Sequence, residues 1–256
     1  MTSFSLSGKT ALITGASGGL GAHFAHTLAS AGAQVVLAAR RIDALAQQVD
    51  DLNKAGFSAF AVAMDVTDAG SVQRALDSAA AWAPDNSISI LINNAGISRE
   101  GMAHTMTEDD WDAVLDTNLK GPWLTTKLFV QQRMRSGLGG SIVHIGSILG
   151  ERVAQGVAAY AAAKAGLHHL TRAQALEFSR LGFRVNALAP GYIETDLNRA
   201  FFQTEAGLRL IKRMTAKRLG QPSELDGALL LLASDASSFI NGSVLTIDGG
   251  HCVSTL

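Results

Sequence analysis

Short apolar runs alternate with longer amphipathic stretches along the whole chain of 256 residues. Most positions in the short runs are apolar, which is typical of strands buried on both faces of a sheet. The stretches between them repeat apolar residues every three or four positions, as one face of a helix does, and Leu20, Phe24 and Leu28 are an example. The predicted strands cover residues 11–14, 34–39, 58–64, 88–92, 141–145, 183–188 and 243–247, and the predicted helices cover residues 19–31, 42–55, 69–82, 107–135, 158–179 and 223–233.

The order of these elements predicts the fold class. Each apolar strand is followed by a crossover helix, which favours a seven-stranded parallel sheet with helices on both faces, in the doubly wound α/β class. The helix over residues 107–135 starts at a capping-box pair, Thr107 and Asp110, and is expected to bend near Gly121 and Pro122. No linker, repeat or low-complexity tract divides the sequence, so we expect residues 1–256 to form a single domain.

Composition and charge narrow the function classes. Hydrophobic residues make up 47% of the chain and charged residues only 17%. Buried subunit interfaces would explain this shortage of charge, so we expect a homo-oligomer. The net charge of −1 gives no sign of nucleic acid or an anionic membrane as a partner. The single cysteine, Cys252, cannot form an intrachain disulfide, and residues 1–9 lack the pattern of a signal peptide, so we expect a cytoplasmic protein.

A glycine-rich turn follows the first predicted strand and opens the first helix. Its spacing is G-x-x-x-G-x-G, formed by Gly15, Gly19 and Gly21. Without side chains, the backbone can approach a pyrophosphate closely, and the free N–H groups of the helix N-terminus then face the anion. The turn therefore predicts a dinucleotide site, with an ordinary strand-to-helix turn as the alternative.

Tyr160 and Lys164 are four residues apart in a predicted helix, so they share one face. An isolated tyrosine has a pKa near ~10, too high for an efficient base at neutral pH. A neighbouring ammonium would lower that pKa by stabilising the phenolate. Ser147, which follows a predicted strand, could hold a substrate oxygen beside the phenol. The spacing alone arises easily by chance, and the glycine turn and Ser147 make it specific.

Together these motifs resemble the short-chain dehydrogenase/reductase family over the whole chain. The similarity is greatest to its 3-oxoacyl reductase and glucose dehydrogenase-like group. The resemblance implies a Rossmann fold and hydride transfer between a nicotinamide cofactor and an alcohol or ketone carbon. The matching motifs are residues 14–21, Asp65-Val66, Asn93-Asn94-Ala95-Gly96, Asn118, Ser147, Tyr160 with Lys164, and Pro190-Gly191.

The resemblance also implies a role for each motif. Tyr160 is the acid/base, Ser147 holds the substrate oxygen, Lys164 also binds the nicotinamide ribose, and Asn118 anchors a water of a proton relay. Asn93 is expected to be structural, tying neighbouring backbone segments together. The expected cofactor-binding residues are Gly15, Ser17, Gly18, Gly19, Leu20, Gly21, Arg40, Arg41, Asp65, Val66, Asn94, Ala95, Gly96, Tyr160, Lys164, Pro190, Gly191, Ile193 and Thr195.

The end of the second predicted strand bears on the choice of cofactor. The family's usual acidic position corresponds to Ala39, and Arg40 and Arg41 follow it. An acidic side chain would accept hydrogen bonds from the ribose hydroxyls, whereas arginine attracts a 2′-phosphate. We therefore predict a preference for NADP(H), with NAD(H) as the alternative. Gly18 stands where many NADP-preferring relatives have a basic residue, so one basic contact is missing.

The predicted substrate is a small to medium, fairly apolar carbonyl compound or alcohol. Residues 192–216 are expected to form a lid that excludes water, since the segment 197–214 is rich in apolar residues. Leu138 and Leu181 replace basic residues that carrier-protein reductases have, which argues against a carrier-bound substrate but leaves a free or CoA-linked 3-oxoacyl group open. The expected substrate-binding residues are Ser147, Leu149, Val153, Tyr160 and Tyr192.

Two other functions stay open: an NAD(H)-dependent sugar or polyol dehydrogenase, and a catalytically silent nucleotide-binding regulator.

The resemblance also implies a tetramer, the usual assembly of the family, in which the helix of Tyr160 packs against its partner's copy through Ala161, Ala165 and Leu170. His144, His168 and His169 are expected to be core or interface residues. No cluster of His, Cys and carboxylates has metal-ligand spacing, so no metal is expected.

Overall fold

The computed structural model describes residues 4–84 and 87–253. Within them, seven parallel strands form one sheet in the order β3-β2-β1-β4-β5-β6-β7. The predicted fold class and all seven predicted strands are confirmed. The strands are β1 (Thr10–Thr14), β2 (Gln34–Ala39), β3 (Ala59–Ala63), β4 (Ile90–Asn93), β5 (Gly140–Ile145), β6 (Phe183–Pro190) and β7 (Val244–Ile247).

Helices cover both faces of the sheet, because alternate side chains of the strands point to opposite faces. Phe24, Leu28 and Leu229 pack against one face, and Leu76 and Phe129 pack against the other. The helices are α1 (Gly19–Ser30), α2 (Asp43–Lys54), α3 (Ala69–Trp82), α4 (Glu108–Leu115), α5 (Gly121–Met134), α6 (Ala158–Phe178), α7 (Asp196–Phe202), α8 (Glu205–Arg213) and α9 (Asp226–Ala233).

The strand order reverses at the centre of the sheet, where β1 pairs with both β2 and β4. The chain leaves the carboxyl ends of β1 and β4 in opposite directions, so a crevice opens between these two strands. Ligands of open α/β sheets bind at such a point.

The helix predicted over residues 107–135 is interrupted. Its start is confirmed, since the Thr107 hydroxyl accepts a hydrogen bond from the Asp110 N–H at 3.1 Å. A π-helical turn at Asp116–Lys120 separates α4 from α5, immediately before the Gly121-Pro122 pair where the bend was predicted. Pro122 has no N–H, so the carbonyl of Asn118 lacks its α-helical donor. The irregular turn therefore contains a predicted catalytic residue, Asn118.

The predicted lid segment forms two short helices, α7 and α8. Phe202 and Met214 are buried, whereas Phe201 and Leu208 are exposed. The side chain of Leu197 lies outside the described part of the structure, as do residues 1–3 and 254–256. None of the helices in the described part combines the length and apolar character needed to cross a bilayer.

Candidate active site

A cavity of about 790 Å³ runs along the carboxyl ends of the strands. At one end, which we call the β2–β3 end, it is lined by Arg40, Arg41 and Asp65. At the other, the β5–β6 end, Ser147, Tyr160 and Lys164 line it among other residues. The fold thus brings the predicted cofactor and catalytic residues together in one crevice.

Most predicted site residues line this cavity, and three do not: Gly21, Asn118 and Val153. Gly21 is buried against the glycine turn, where a Cβ would overlap the carbonyl oxygen of Gly15. Val153 is 89% exposed and lies outside the lining of the cavity, and its contact with substrate stays a prediction. The lining residues that sequence reasoning did not assign include Ala39, Met64, Thr67, Ile97, Ser98, Thr117, Ile145, Gly146 and Asn198.

The glycine turn fits a pyrophosphate. Gly15 has a φ of +66°, and a Cβ there would lie 2.7 Å from the Cα of Ala95, so the turn can pack this closely only with glycine. At Gly18 and Gly19 a Cβ would meet no protein atom within 4 Å, so both positions are open. An anion could therefore approach the backbone at the start of α1 without meeting a side chain.

Asn94, and not Asn93, ties the glycine turn to the end of β4. Its side-chain amide donates to the carbonyl oxygens of Thr14 and Gly15 at 3.0 and 3.1 Å. The Asn93 amide instead donates to the side chains of Thr126 and His144, at 3.0 and 3.1 Å. The expectation that Asn93 joins backbone segments was wrong, because its side chain points into the core.

The β2–β3 end carries exposed positive charge. Among the described residues, neither Arg40 nor Arg41 forms an ion pair. Asp65 Oδ1 accepts hydrogen bonds from the N–H and hydroxyl of Thr67 at 2.9 and 2.7 Å. These bonds, with a smaller contribution from Arg40, lower the pKa of Asp65 and keep it ionised. Both guanidinium groups are therefore available to an anionic ligand.

The catalytic candidates at the β5–β6 end come from two elements. Ser147 follows β5 and accepts a hydrogen bond from the Leu149 N–H at 3.1 Å. Tyr160 and Lys164 lie one turn apart on α6, with Lys164 Nζ 5.5 Å from the centre of the Tyr160 ring. The Lys164 ammonium donates to the carbonyl oxygen of Ile145, in the strand that leads to Ser147, at 2.8 Å.

Burial governs the protonation of both α6 residues. It raises the pKa of Tyr160 above its ordinary value, against the opposing effect of a hydrogen bond with Ser147. Burial also lowers the pKa of Lys164 to about 8. The expected lowering of the Tyr160 pKa by Lys164 is not found in the protein without cofactor, because the effect of desolvation on Tyr160 is larger. Tyr160 is therefore a neutral phenol that can give a proton.

Asn118 is fully buried behind the wall of the cavity. Its side-chain amide is used by the backbone of Ile97: Nδ2 donates to the Ile97 carbonyl oxygen at 2.6 Å, and Oδ1 accepts from the Ile97 N–H at 2.8 Å. The side chain thus supports the wall beside Gly96. A proton relay would have to use the backbone carbonyl of Asn118, for which Pro122 supplies no donor.

Two histidines near Lys164 are buried, as expected of core residues. His144 lies in β5 with its ring nitrogens 3.1 Å from Asn93 Nδ2 and 2.9 Å from Gln174 Oε1. Burial lowers the pKa of both His144 and His168 to about 4, so both rings are neutral at neutral pH. Among the described residues, no group of three or more His, Cys, Asp or Glu is arranged to hold a metal ion.

Tyr192 connects the cavity with α7, the first helix of the segment predicted to be a lid. Its ring meets the ring of Phe202 in α7 edge to face, with centroids 5.9 Å apart, and that of His251 in the same way at 5.6 Å. Thr195 caps α7 together with Asn198 in a capping box. The segment that leads into α7 therefore starts at the cavity, since Tyr192, Thr195 and Asn198 all line it.

Comparisons with known proteins point to one family. A family model described as Enoyl-(Acyl carrier protein) reductase matches residues 15–252. The chain is 40% identical over 253 residues to gluconate 5-dehydrogenase of Gluconobacter oxydans, covering 98% of this chain and 97% of the relative. It is 37% identical to the 3-oxoacyl-[acyl-carrier-protein] reductase FabG of Escherichia coli, covering 95% and 97% of the two chains. A crystal structure of a gluconate 5-dehydrogenase from Burkholderia cenocepacia in complex with NADP and tartrate superposes with a TM-score of 0.93, at 38% identity and 98% coverage of both chains.

Proposed function

Since the chain belongs to the short-chain dehydrogenase/reductase family, whose relatives here are NAD(P)-dependent dehydrogenases and reductases of CH–OH groups, we propose that it interconverts an uncharged, fairly apolar ketone and its alcohol with NADP(H). One observation carries this substrate class. The described residues that line the cavity include four charged side chains, Arg40, Arg41, Asp65 and Lys164. Only Lys164 of these belongs to the β5–β6 end, where Ile97, Ile148 and Leu149 add apolar surface.

The bound nicotinamide would supply or accept the hydride. In the reduction, Ser147 donates a hydrogen bond to the carbonyl oxygen as negative charge develops on it. Tyr160, whose phenol is neutral, gives its proton to that oxygen. Lys164, with Nζ 5.5 Å from the ring, stabilises the phenolate that remains. The Asn118 carbonyl holds a water that returns a proton from solvent.

The cofactor residues follow the line of the cavity. The backbone at Gly18 and Gly19 holds the pyrophosphate, and Arg40 holds a 2′-phosphate with Arg41 beside it. Asp65 and Val66 meet the adenine, and Lys164 holds the nicotinamide ribose. The remaining cofactor contacts come from Gly15, Ser17, Leu20, Asn94, Ala95, Gly96, Tyr160, Pro190, Gly191, Ile193 and Thr195, all lining residues.

A second candidate substrate is a polyhydroxy acid, because two of the compared proteins are gluconate 5-dehydrogenases. Such a substrate would need a cation for its carboxylate. The cation at this end, Lys164, already donates to the carbonyl oxygen of Ile145, which favours the uncharged ketone. Because the two candidate substrates differ in charge, their turnover rates distinguish them.

The test follows NADPH absorbance with a panel of carbonyl compounds. We expect turnover of uncharged ketones and 3-oxo esters, such as cyclohexanone and ethyl acetoacetate, above that of 5-ketogluconate. Faster turnover of 5-ketogluconate would select the polyhydroxy acid. Cofactor binding without turnover of any member would indicate the silent regulator. Tyr160→Phe, assayed with the same panel, separates turnover at this site from a contaminating enzyme.

The wider organisation is part of the same proposal. The chain acts as one cytoplasmic domain with a lid at residues 192–216, and it assembles as a homotetramer. Large apolar side chains are exposed on α6, α5 and α4. The exposed fraction is 82% for Leu176 in α6, 43% for Trp123 in α5 and 39% for Trp111 in α4. Light scattering of wild type and Leu176→Lys tests the assembly, and an unassembled wild type would contradict it.

A further inference from the structure

The loop that carries Ser147 rests on the ring of a buried histidine. His168 lies on α6, one turn beyond Lys164, and is 3% exposed. Its imidazole occupies the space that side chains would otherwise fill at Gly146 and at Gly150. A Cβ at Gly146 would overlap the Nε2–Cδ2 edge of the ring, and a Cβ at Gly150 would lie 2.6 Å from Cε1 and 2.7 Å from Nδ1.

The two glycines bracket the segment Ser147-Ile148-Leu149, so one planar ring contacts both ends of the loop from beneath. The rest of the loop is held by its own backbone. The Gly146 N–H donates to the Leu188 carbonyl oxygen at 2.7 Å, and the Gly150 N–H donates to that of Ser147 at 2.9 Å. Both ring contacts are van der Waals contacts with backbone, which resist displacement because packed interiors have little free volume.

The geometry points to His168 as the residue that positions Ser147 against Tyr160 on the cavity side of α6. Tyr160 and His168 belong to the same helix, α6. The helix therefore sets the distance between the proton donor, Tyr160, and the loop that carries Ser147. This inference rests on the proposed role of Ser147. It assigns to His168 no contact with substrate or cofactor.

The chemistry of the ring fits a role in shape and not in charge. The pKa of His168 is lowered to about 4 by burial and by the nearby positive charges of Lys164 and Arg172, so the ring is neutral. Its Nε2 is buried and has no hydrogen-bond partner among the described residues. An unpaired buried polar atom costs stability, so folding alone would favour an apolar side chain here.

The inference is tested with His168→Ala, Gly150→Ala and the double variant His168→Ala/Gly150→Ala, assayed with NADPH and ethyl acetoacetate. His168→Ala removes the support and Gly150→Ala pushes the loop off the ring. Each should lower kcat about 10- to 100-fold, since displacing a catalytic group by ~1 Å can lower the rate by up to about 100-fold. NADPH affinity, measured by fluorescence titration, should be unchanged. The double variant should recover part of kcat, because the new methyl group enters the space that the ring leaves; the recovery should be incomplete, since this group still lies 3.0 Å from the Lys164 carbonyl oxygen.

Crystal structures of the three variants give a readout that does not depend on the substrate. We expect the backbone of residues 146–150 to shift in both single variants and to shift less in the double variant. Undisturbed loops, or a kcat equal to that of wild type in His168→Ala, would overturn the role of His168. Ser147→Ala is the reference: if it keeps full turnover, the proposed function fails at Ser147, whereas the loop structures still decide what His168 does.

Discussion

The two ends of the cavity are built on different physical principles. At the β2–β3 end, Arg40 and Arg41 are exposed and form no ion pair among the described residues. At the β5–β6 end, Lys164 is 4% exposed and Tyr160 is partly buried. Exposed charges can attract an anion over a distance. Buried groups owe their protonation to what surrounds them. One end is therefore suited to recognition and the other to proton transfer.

The difference also shows in what a substitution would do. Removing an exposed charge removes one attraction, which salt already weakens. Removing a buried group leaves its neighbours with unpaired atoms or a gap.

Tyr160→Phe should lower kcat by about 10²- to 10⁴-fold, the usual contribution of a general acid or base. NADPH binding should persist, because the phenyl ring fills the same space. The comparison is Tyr192→Phe, which removes the only other tyrosine hydroxyl in the chain. Since Tyr192 is a lining residue, its variant should change KM more than kcat. Equal losses of kcat in both variants would argue against Tyr160 as the proton donor.

Arg40→Asp should lower the ratio of kcat/KM for NADPH to that for NADH by about 10- to 100-fold. Hydrogen bonds to charged groups contribute ~1.5–3 kcal/mol, and the aspartate also repels a 2′-phosphate. Initial rates with both cofactors measure it, and Arg41→Asp should give a smaller change in the same direction. If Arg40→Asp discriminates between the cofactors as wild type does, Arg40 is not the phosphate ligand.

Acid should destabilise the core beneath the β5–β6 end. The pKa of His144 in the fold is about 4, below its ordinary value of 6.5. The unfolded chain therefore takes up this proton first, and stability falls as the pH drops from 6.5 towards 4. Between pH 7 and pH 5 the loss should be about 2 kcal/mol from His144 alone. Urea unfolding at the two pH values measures it.

His144→Gln is the matched variant for that measurement, because glutamine cannot titrate in this range. Its stability should depend less on pH than that of wild type. His168 titrates in the same sense, so part of the slope should remain. An unchanged slope in His144→Gln would show that His144 does not contribute.

Cofactor affinity should weaken at alkaline pH. The pKa of Lys164 is lowered to about 8 by burial. In the free enzyme its ammonium therefore loses its proton as the pH rises through 8, and with it a donor to the ribose. We expect the Kd for NADPH to rise up to ~10-fold between pH 7 and pH 9.5, given the 1.4 kcal/mol that a tenfold change represents. Lys164→Arg stays charged in this range and should remove the pH dependence, whatever its affinity.

Features that depend on neighbours in the chain were readable from the sequence. The seven strands, the capped start of α4 and the open glycine turn follow from hydrophobic spacing and from glycine positions. The pairing of Tyr160 with Lys164 follows from the period of one helix. The π-helical turn was visible only as an expected bend near Pro122, because the shift in hydrogen bonding depends on how the turn packs against Ile97 through Asn118.

The sequence by itself determined the order of the elements, the chemistry of the side chains and the positions of the turns, since these depend on local spacing. The tertiary structure alone decided that Val153 is exposed, that the Asn118 amide is used by Ile97, and that His168 lies under both glycines of the Ser147 loop. It also decided the directions in which the pKa values of Tyr160 and Lys164 are shifted. Burial arises from residues far apart in the chain, and desolvation acts on a group only after those residues have packed around it.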